Sequence, residues 1–242
     1  MFKRTIALSL TFLLSCTCIC KAQYLSSETS KTFVKKNIVP LSLLATGILL
    51  SDSSFEKSLQ NTTQDWLGND FKSSIDDYTR FVPIVQMYAA DVAGVKAKHH
   101  WFDQTKNATV SIVLTDIITN LLKKNIYKMR PNNFNEKSFP SGHTSLAFTS
   151  GTILYEEFKD TNTLLAYSGY GFSALTGGLR MANNKHYLSD VLAGAGLGIL
   201  ITKLVYEFDY LFAWNPFLKS KDVSLQPVYN EGTVGLYFSK TF

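Results

Sequence analysis

Three short groups of residues in this chain are of types and spacings that can do chemistry. Lys123 and Arg130 lie seven apart in a segment that reads as the end of a helix. At about 3.6 residues per turn both cations fall on nearly one face, within reach of one anion. Pro131 stops that helix, and a polar loop leads into Pro140-Ser141-Gly142-His143, immediately ahead of an apolar helical run. Serine and glycine at that position expose backbone N–H groups at a helix N-terminus, where unpaired donors and the helix dipole favour a phosphate. Arg180, His186 and Asp190 come next, again at the start of a helical run. A carboxylate four residues after a histidine can hold one ring nitrogen and leave the other a better nucleophile. Three cations, a helix N-terminus and two histidines, one oriented by an aspartate, are the parts of a phosphoryl-transfer site that needs no metal.

In order and spacing, Lys123-x6-Arg130-Pro131, Pro140-Ser141-Gly142-His143 and Arg180-x5-His186-x3-Asp190 resemble the three-part signature of the type 2 phosphatidic acid phosphatase and vanadium haloperoxidase superfamily. The resemblance implies an all-α fold, a six-helix bundle. It implies that His186 attacks phosphorus to form a phosphohistidine, that Asp190 orients it, and that His143 protonates the leaving oxygen. Lys123, Arg130 and Arg180, with Ser141 and the backbone at Gly142, would bind the phosphoryl oxygens. No metal and no cofactor are implied, so chelation is expected to have little effect. His186 must be neutral and His143 protonated, which predicts a bell-shaped pH profile. Two departures stand out. Leu179 replaces the serine that often precedes the arginine, and residues 132–139 form a short connection with little room for a lid.

The elements that must position these groups are short. The chain has 242 residues, 45% hydrophobic and 18% charged, enough for one sizeable core and no disordered region of consequence. No block of like charges marks a nucleic-acid partner. Apolar runs at 38–50, 81–95, 108–122, 144–155, 164–179 and 191–206 read as six helices. All are shorter than the ~20 residues of a full membrane span, and several carry polar residues such as Gln86, Asp91, Asp116 and Asn120. A soluble bundle and a tightly packed membrane bundle both fit. Small residues at 192–198 and 169–171 suit close helix approach, including in lipid.

Residues 1–22 read as a secretory signal, with Lys3 and Arg4 ahead of an apolar run and a small residue at Ala22. An uncleaved anchor or a lipidated Cys16 are the alternatives. Cleavage would remove all three cysteines and three of the 24 cations, taking the net charge from +5 to +2. No disulfide framework or thiolate ligand would remain. Residues 23–215 then form the helical domain. Residues 216–242 form a tail in which two strand-like runs flank Asn230-Glu231-Gly232, a short β-hairpin expected to cover the end of the bundle.

Three polar groups outside the motifs read as bland. His99-His100 takes a loop position rather than a metal site, Asp76-Asp77 is solvated loop or helix-start charge, and Asp116 with Asn120 makes polar contacts in the bundle. Two functions remain. One is a lipid phosphatase in the inner membrane with its site facing the periplasm, acting on lipid A, undecaprenyl diphosphate or phosphatidylglycerol phosphate. The other is a soluble periplasmic acid phosphatase acting on small esters. The partners expected are a phosphorylated lipid and the membrane; the sequence assigns no oligomeric state.

Overall fold

In a computed structural model of the chain, the structure describes residues 27–68, 71–218, 223–230 and 233–240. The expected signal, residues 1–22, and its cysteines lie outside the described residues. Nine α-helices are found among the described residues rather than six: α1 (Ser27–Lys36), α2 (Ile38–Leu50), α3 (Ser54–Leu67), α4 (Ile75–Thr79), α5 (Val82–Val92), α6 (Trp101–Asn125), α7 (Gly142–Phe158), α8 (Thr163–Ala182) and α9 (Leu188–Glu207). The six apolar runs correspond to α2 and α5–α9. A 3-10 turn follows at Asp209–Phe212, and then strands β1 (Val223–Asn230) and β2 (Thr233–Lys240), paired antiparallel from Val223↔Lys240 to Asn230↔Thr233.

Helix α3 escaped the periodicity reading because its buried positions are Glu56, Gln60 and Gln64, one polar residue per turn. Its ends are nonetheless locally encoded. Ser53 caps the start by accepting a hydrogen bond from Glu56 N–H at 3.2 Å, and Gly68 ends it at φ +86, a conformation that costs a residue without Cβ little.

Helices α7, α8 and α9 pack on one another, with α2 and α6 laid against α9 and α5 against α7. Close approach is what the small residues provide. A Cβ on Gly194 of α9 would lie 2.7 Å from the carbonyl oxygen of Ser141, so glycine there lets α9 press on the start of α7.

The helix surfaces are partly inverted relative to a water-soluble bundle, although apolar side chains such as Ile153, Leu154, Phe158, Leu197 and Ile201 are buried as well. On α6 the buried residues include Gln104, Asn107, Ser111, Thr115 and Thr119, whereas Val113, Leu114, Ile117 and Leu121 are exposed, and so are Asp116 and Asn120, which face out rather than making the expected polar contacts in the bundle. Thr144, Ser145, Thr149, Ser150 and Thr152 of α7 are fully buried, as are Ser173 and Thr176 of α8. Their hydroxyls are spent inside, for example Thr115 on Thr149 at 2.9 Å and Ser173 on the Ala147 carbonyl at 2.7 Å. Apolar side chains outside and small polar residues inside, most of them hydrogen-bonded although the Ser111 and Thr119 hydroxyls are not, suit a lipid solvent. By length and composition α9 alone among the described helices could cross a membrane, because the buried hydroxyls lower the hydropathy of its neighbours; α2 and α3, bent by 90°, qualify only as a pair.

Candidate active site

The C-terminal ends of α6 and α8, the N-terminal ends of α7 and α9, and the segments just after α6 and just before α9 carry the eight motif residues, and all gather at one end of the bundle. His186 lies just ahead of α9 and is 1% exposed. Its Nδ1 is 3.5 Å from Asp190 Oδ2 and 3.5 Å from Ser138 Oγ, while its Nε2 makes no hydrogen bond among the described residues. Asp190, the third residue of α9, is held tightly. Its Oδ2 accepts from the Tyr187 N–H at 2.9 Å and from the Ser138 hydroxyl, which closes the capping box of α9. The helix start therefore fixes the carboxylate that faces the histidine.

Burial pushes the His186 ring down to about 3, with Lys123 and Arg180 adding to the effect and Asp190 opposing it. The ring is thus neutral at physiological pH, as a nitrogen nucleophile must be. The unfolded chain takes up a proton at this ring near pH 6.5, and the folded chain does so only near pH 3. Stability is therefore lost as pH falls through that window. Thermal melts between pH 7 and 4 are expected to show a steeper acid loss for the wild type than for His186→Gln, and equal slopes would contradict it.

Ser141 caps α7. Its N–H is already committed to the Asp190 carbonyl at 3.0 Å, and its hydroxyl accepts from Thr144 Oγ1 at 2.9 Å. The open donors at this helix start are therefore the N–H groups of Gly142 and His143, which have no intrahelical acceptor by position. The aliphatic end of Lys123 passes beside Gly142, and its Nζ donates to the Lys137 carbonyl at 2.9 Å.

Arg130 is not on the helix of Lys123, contrary to the sequence expectation. Helix α6 ends at Asn125, and Ile126 is already extended (φ −116, ψ 105). From there the chain pairs with the segment after it, Lys128 N–H donating to Glu136 O and Arg130 N–H to Asn135 O, each at 3.0 Å. Those cross-chain bonds take the place of another helical turn. Arg130 still reaches the site, where burial, and after it the neighbouring Arg180, lowers its pKa while Asp190 opposes the change. Arg180 is buried, with Nη1 on Asp76 Oδ2 at 2.6 Å. The Nε donors of both Arg130 and Arg180 are buried without a partner. Unpaired buried guanidinium donors are costly, so their presence beside a helix N-terminus marks a site built for an anion.

Residues 104–214 match the PAP2 superfamily. Within the chain, that segment belongs to the PAP2 superfamily. The PAP2 segment runs from the first turn of α6 past the 3-10 turn and contains all eight motif residues. Over 147 residues the chain is 30% identical to the lipid A 1-phosphatase of Porphyromonas gingivalis, covering 60% of this chain and 33% of that protein. It therefore spans about a third of that relative's length. Two solved structures resemble it more remotely. Aquifex aeolicus LpxE aligns with a TM-score of 0.48 at 19% identity, over 65% of this chain and 98% of that one. The phosphatidylglycerolphosphate phosphatase from Bacillus subtilis aligns with a TM-score of 0.49 at 17% identity, over 74% and 99%.

Several residues around this PAP2 site carried no sequence signal. Lys128, 2% exposed, donates to Asp190 Oδ1 at 2.9 Å, to Ser189 Oγ at 2.6 Å and to Glu56 Oε2 at 3.1 Å. Asp76 and Asp77 are helix-start charge, in the first turn of α4, but not solvated loop charge: Asp76 is buried on Arg180, and Asp77 meets His143 Nε2 at 2.7 Å. His99 does sit in a loop, at the far end of the bundle, but it is clamped between Glu157 at 3.0 Å and Asp209 at 3.3 Å.

Proposed function

We propose that this chain is a phosphohydrolase that removes a phosphate from a phosphorylated envelope lipid through a phosphohistidine. The observation that carries the reading is the buried, neutral His186 braced by Asp190 beside two arginines whose Nε donors lack partners. With Nδ1 turned to Asp190, Nε2 attacks phosphorus and the bond to the leaving oxygen breaks. His143 supplies the proton that the leaving oxygen takes. Lys123, Arg130, Arg180 and the open N–H groups at the start of α7 carry the charge that spreads onto the non-bridging oxygens, with Ser141 shaping the turn. In the second half His143 accepts a proton from water, water oxygen attacks phosphorus, and the electron pair of the P–N bond returns to His186. No step calls for a metal ion.

The lipid part of the reading rests on the partly inverted helix surfaces and is supported by the lipid A 1-phosphatase among its relatives. Exposed aromatics at the end of α6 remote from the site also support it. Trp101 packs on Phe217 with ring centroids 5.0 Å apart, Phe102 on Trp214 at 5.9 Å, and Trp214 is 70% exposed, as in an interfacial aromatic belt. Trp101 and Lys123 are about 33 Å apart along the helix axis, close to the thickness of a bilayer core. With residues 1–22 as an export signal and the 13-residue α2 lying in the bundle or along the interface rather than spanning, the site end would face the periplasm.

Two experiments test this. Full-length protein in detergent micelles is expected to release inorganic phosphate from lipid A, undecaprenyl diphosphate or phosphatidylglycerol phosphate faster than from small phosphate esters. Carbonate washing of membranes is expected to leave the chain in the pellet. Release into the wash together with a preference for small esters would instead favour a soluble periplasmic acid phosphatase.

A further inference from the structure

We propose that Asp77 is a positioning residue for the general acid, holding Nε2 of His143 so that the ring presents its other nitrogen, Nδ1, to the leaving oxygen. The proposal rests on the phosphatase reading above and adds a residue to it. Asp77 Oδ1 lies 2.7 Å from His143 Nε2, and Nδ1 makes no hydrogen bond among the described residues. The same division of labour holds at His186, where Asp190 takes Nδ1 and leaves Nε2 for phosphorus.

An exposed ion pair is ordinarily a weak and mobile contact, and Asp77 is half-exposed. What fixes this one is its support. Asp76, one residue earlier, is buried and accepts from Arg180 Nη1 at 2.6 Å and from Asn183 Nδ2 at 3.0 Å. Two residues later Thr79 Oγ1 bonds Thr176 Oγ1 of α8 at 2.8 Å. Helix α4 is thereby pinned to α8 on both sides of Asp77, and the carboxylate is delivered to His143 without a search over rotamers of a loose loop. The hydrogen bond from His143 holds the Asp77 carboxyl below its ordinary range, with Arg80 and Lys185 contributing, so it is an anion at neutral pH. Burial and the Arg180 charge press the His143 ring toward its neutral form, and the anion on Nε2 opposes them, favouring the imidazolium that must exist before the step. As the P–O bond breaks, its electron pair goes to the leaving oxygen, which takes the Nδ1 proton, and His143 is left neutral. In the hydrolytic half the ring regains a proton from water, and Asp77 again stabilises the cation.

The test separates this role from a structural one by leaving group. An alkoxide needs a proton to depart, and a nitrophenolate does not. Dodecyl phosphate and a nitrophenyl phosphate carrying the same alkyl chain would be compared in the same micelles, with kcat/KM reporting the step in which the leaving group departs. Asp77→Asn is expected to lower kcat/KM for dodecyl phosphate by about 30-fold and for the nitrophenyl ester by less than about 3-fold, a fraction of what a full acid catalyst supplies. Asp77→Glu is expected to recover part of the loss, and melting temperatures should stay close to wild type because the side chain is half-exposed. Equal losses on both esters, or none on either, would overturn the proposal. So would activity that chelation abolishes and a divalent ion restores, since Asp76, Asp77 and His143 could then be ligands. Failure of the wild type on both esters would overturn the phosphatase reading itself, whereas the Asp77→Asn pattern bears on this residue alone.

Discussion

Replacing His186 with alanine is expected to lower kcat by about 10^5-fold, the scale on which removing a buried catalytic nucleophile acts. The fold should survive it. Asp190 keeps Lys128, the Ser138 hydroxyl and the Tyr187 N–H as partners, so no charge is stranded when the ring goes. What is lost is the nitrogen that bonds to phosphorus, and neither Arg130 nor Arg180 can supply another. Rapid acid-free quenching of wild type with 32P-labelled substrate should trap a phosphoenzyme that is labile in acid and stable in base, the signature of a phosphoramidate. His186→Ala should carry no label. A variant that still labels, or that turns over within tenfold of wild type while melting normally, would rule out His186 as the nucleophile.

The site was legible in the sequence because its residues are chemically specialised and sit at element ends. Pro131 and Pro140 bracket a loop, Gly142 opens a helix, and the spacing of His186 to Asp190 is one helical turn. The sequence was misleading wherever burial and polarity part company. In α3 the residues turned inward are Glu56, Gln60 and Gln64, while Phe55 and Trp66 face out, so a hydrophobic-periodicity reading finds no helix there. Its partners are distant in sequence as well: Gln60 and Gln64 cap the end of α8 by donating to the Met181 carbonyl at 3.0 and 3.2 Å. The placement of Arg130 failed for a related reason. Pro131 disfavours a helical Arg130, and pairing with residues 135–138 holds the segment after Asn125 straight. Asp76 is helix-start charge as read, but its burial was hidden because its counter-ion, Arg180, lies 104 positions on.

The same blindness hid the cation on which the catalytic carboxylate depends. Lys128 is a third lysine close to Lys123 and Lys124 in sequence, yet it alone is enclosed, with side chains of Glu56 and Asp190 that are wholly buried on either side of it. Ser189 bonds both Lys128 and Glu56, and the Tyr187 ring lies 4.7 Å from the ammonium. Methionine at 128 would fill similar volume and remove the charge. Two carboxylates would then face each other without a counter-ion, and the loss is expected to be about 3–5 kcal/mol, or roughly a 10 °C fall in melting temperature for a chain of this size. Activity should fall with it, because an Asp190 forced to protonate or swing away no longer braces His186. Adding Glu56→Gln to Lys128→Met discriminates between a charge effect and a packing effect. If the buried charge balance is what Lys128 provides, the double variant should melt above the single one, since only one uncompensated carboxylate remains. Additive losses in the two variants, or a Lys128→Met protein as stable as wild type, would show that Asp190 is held by Ser138 and the helix cap alone.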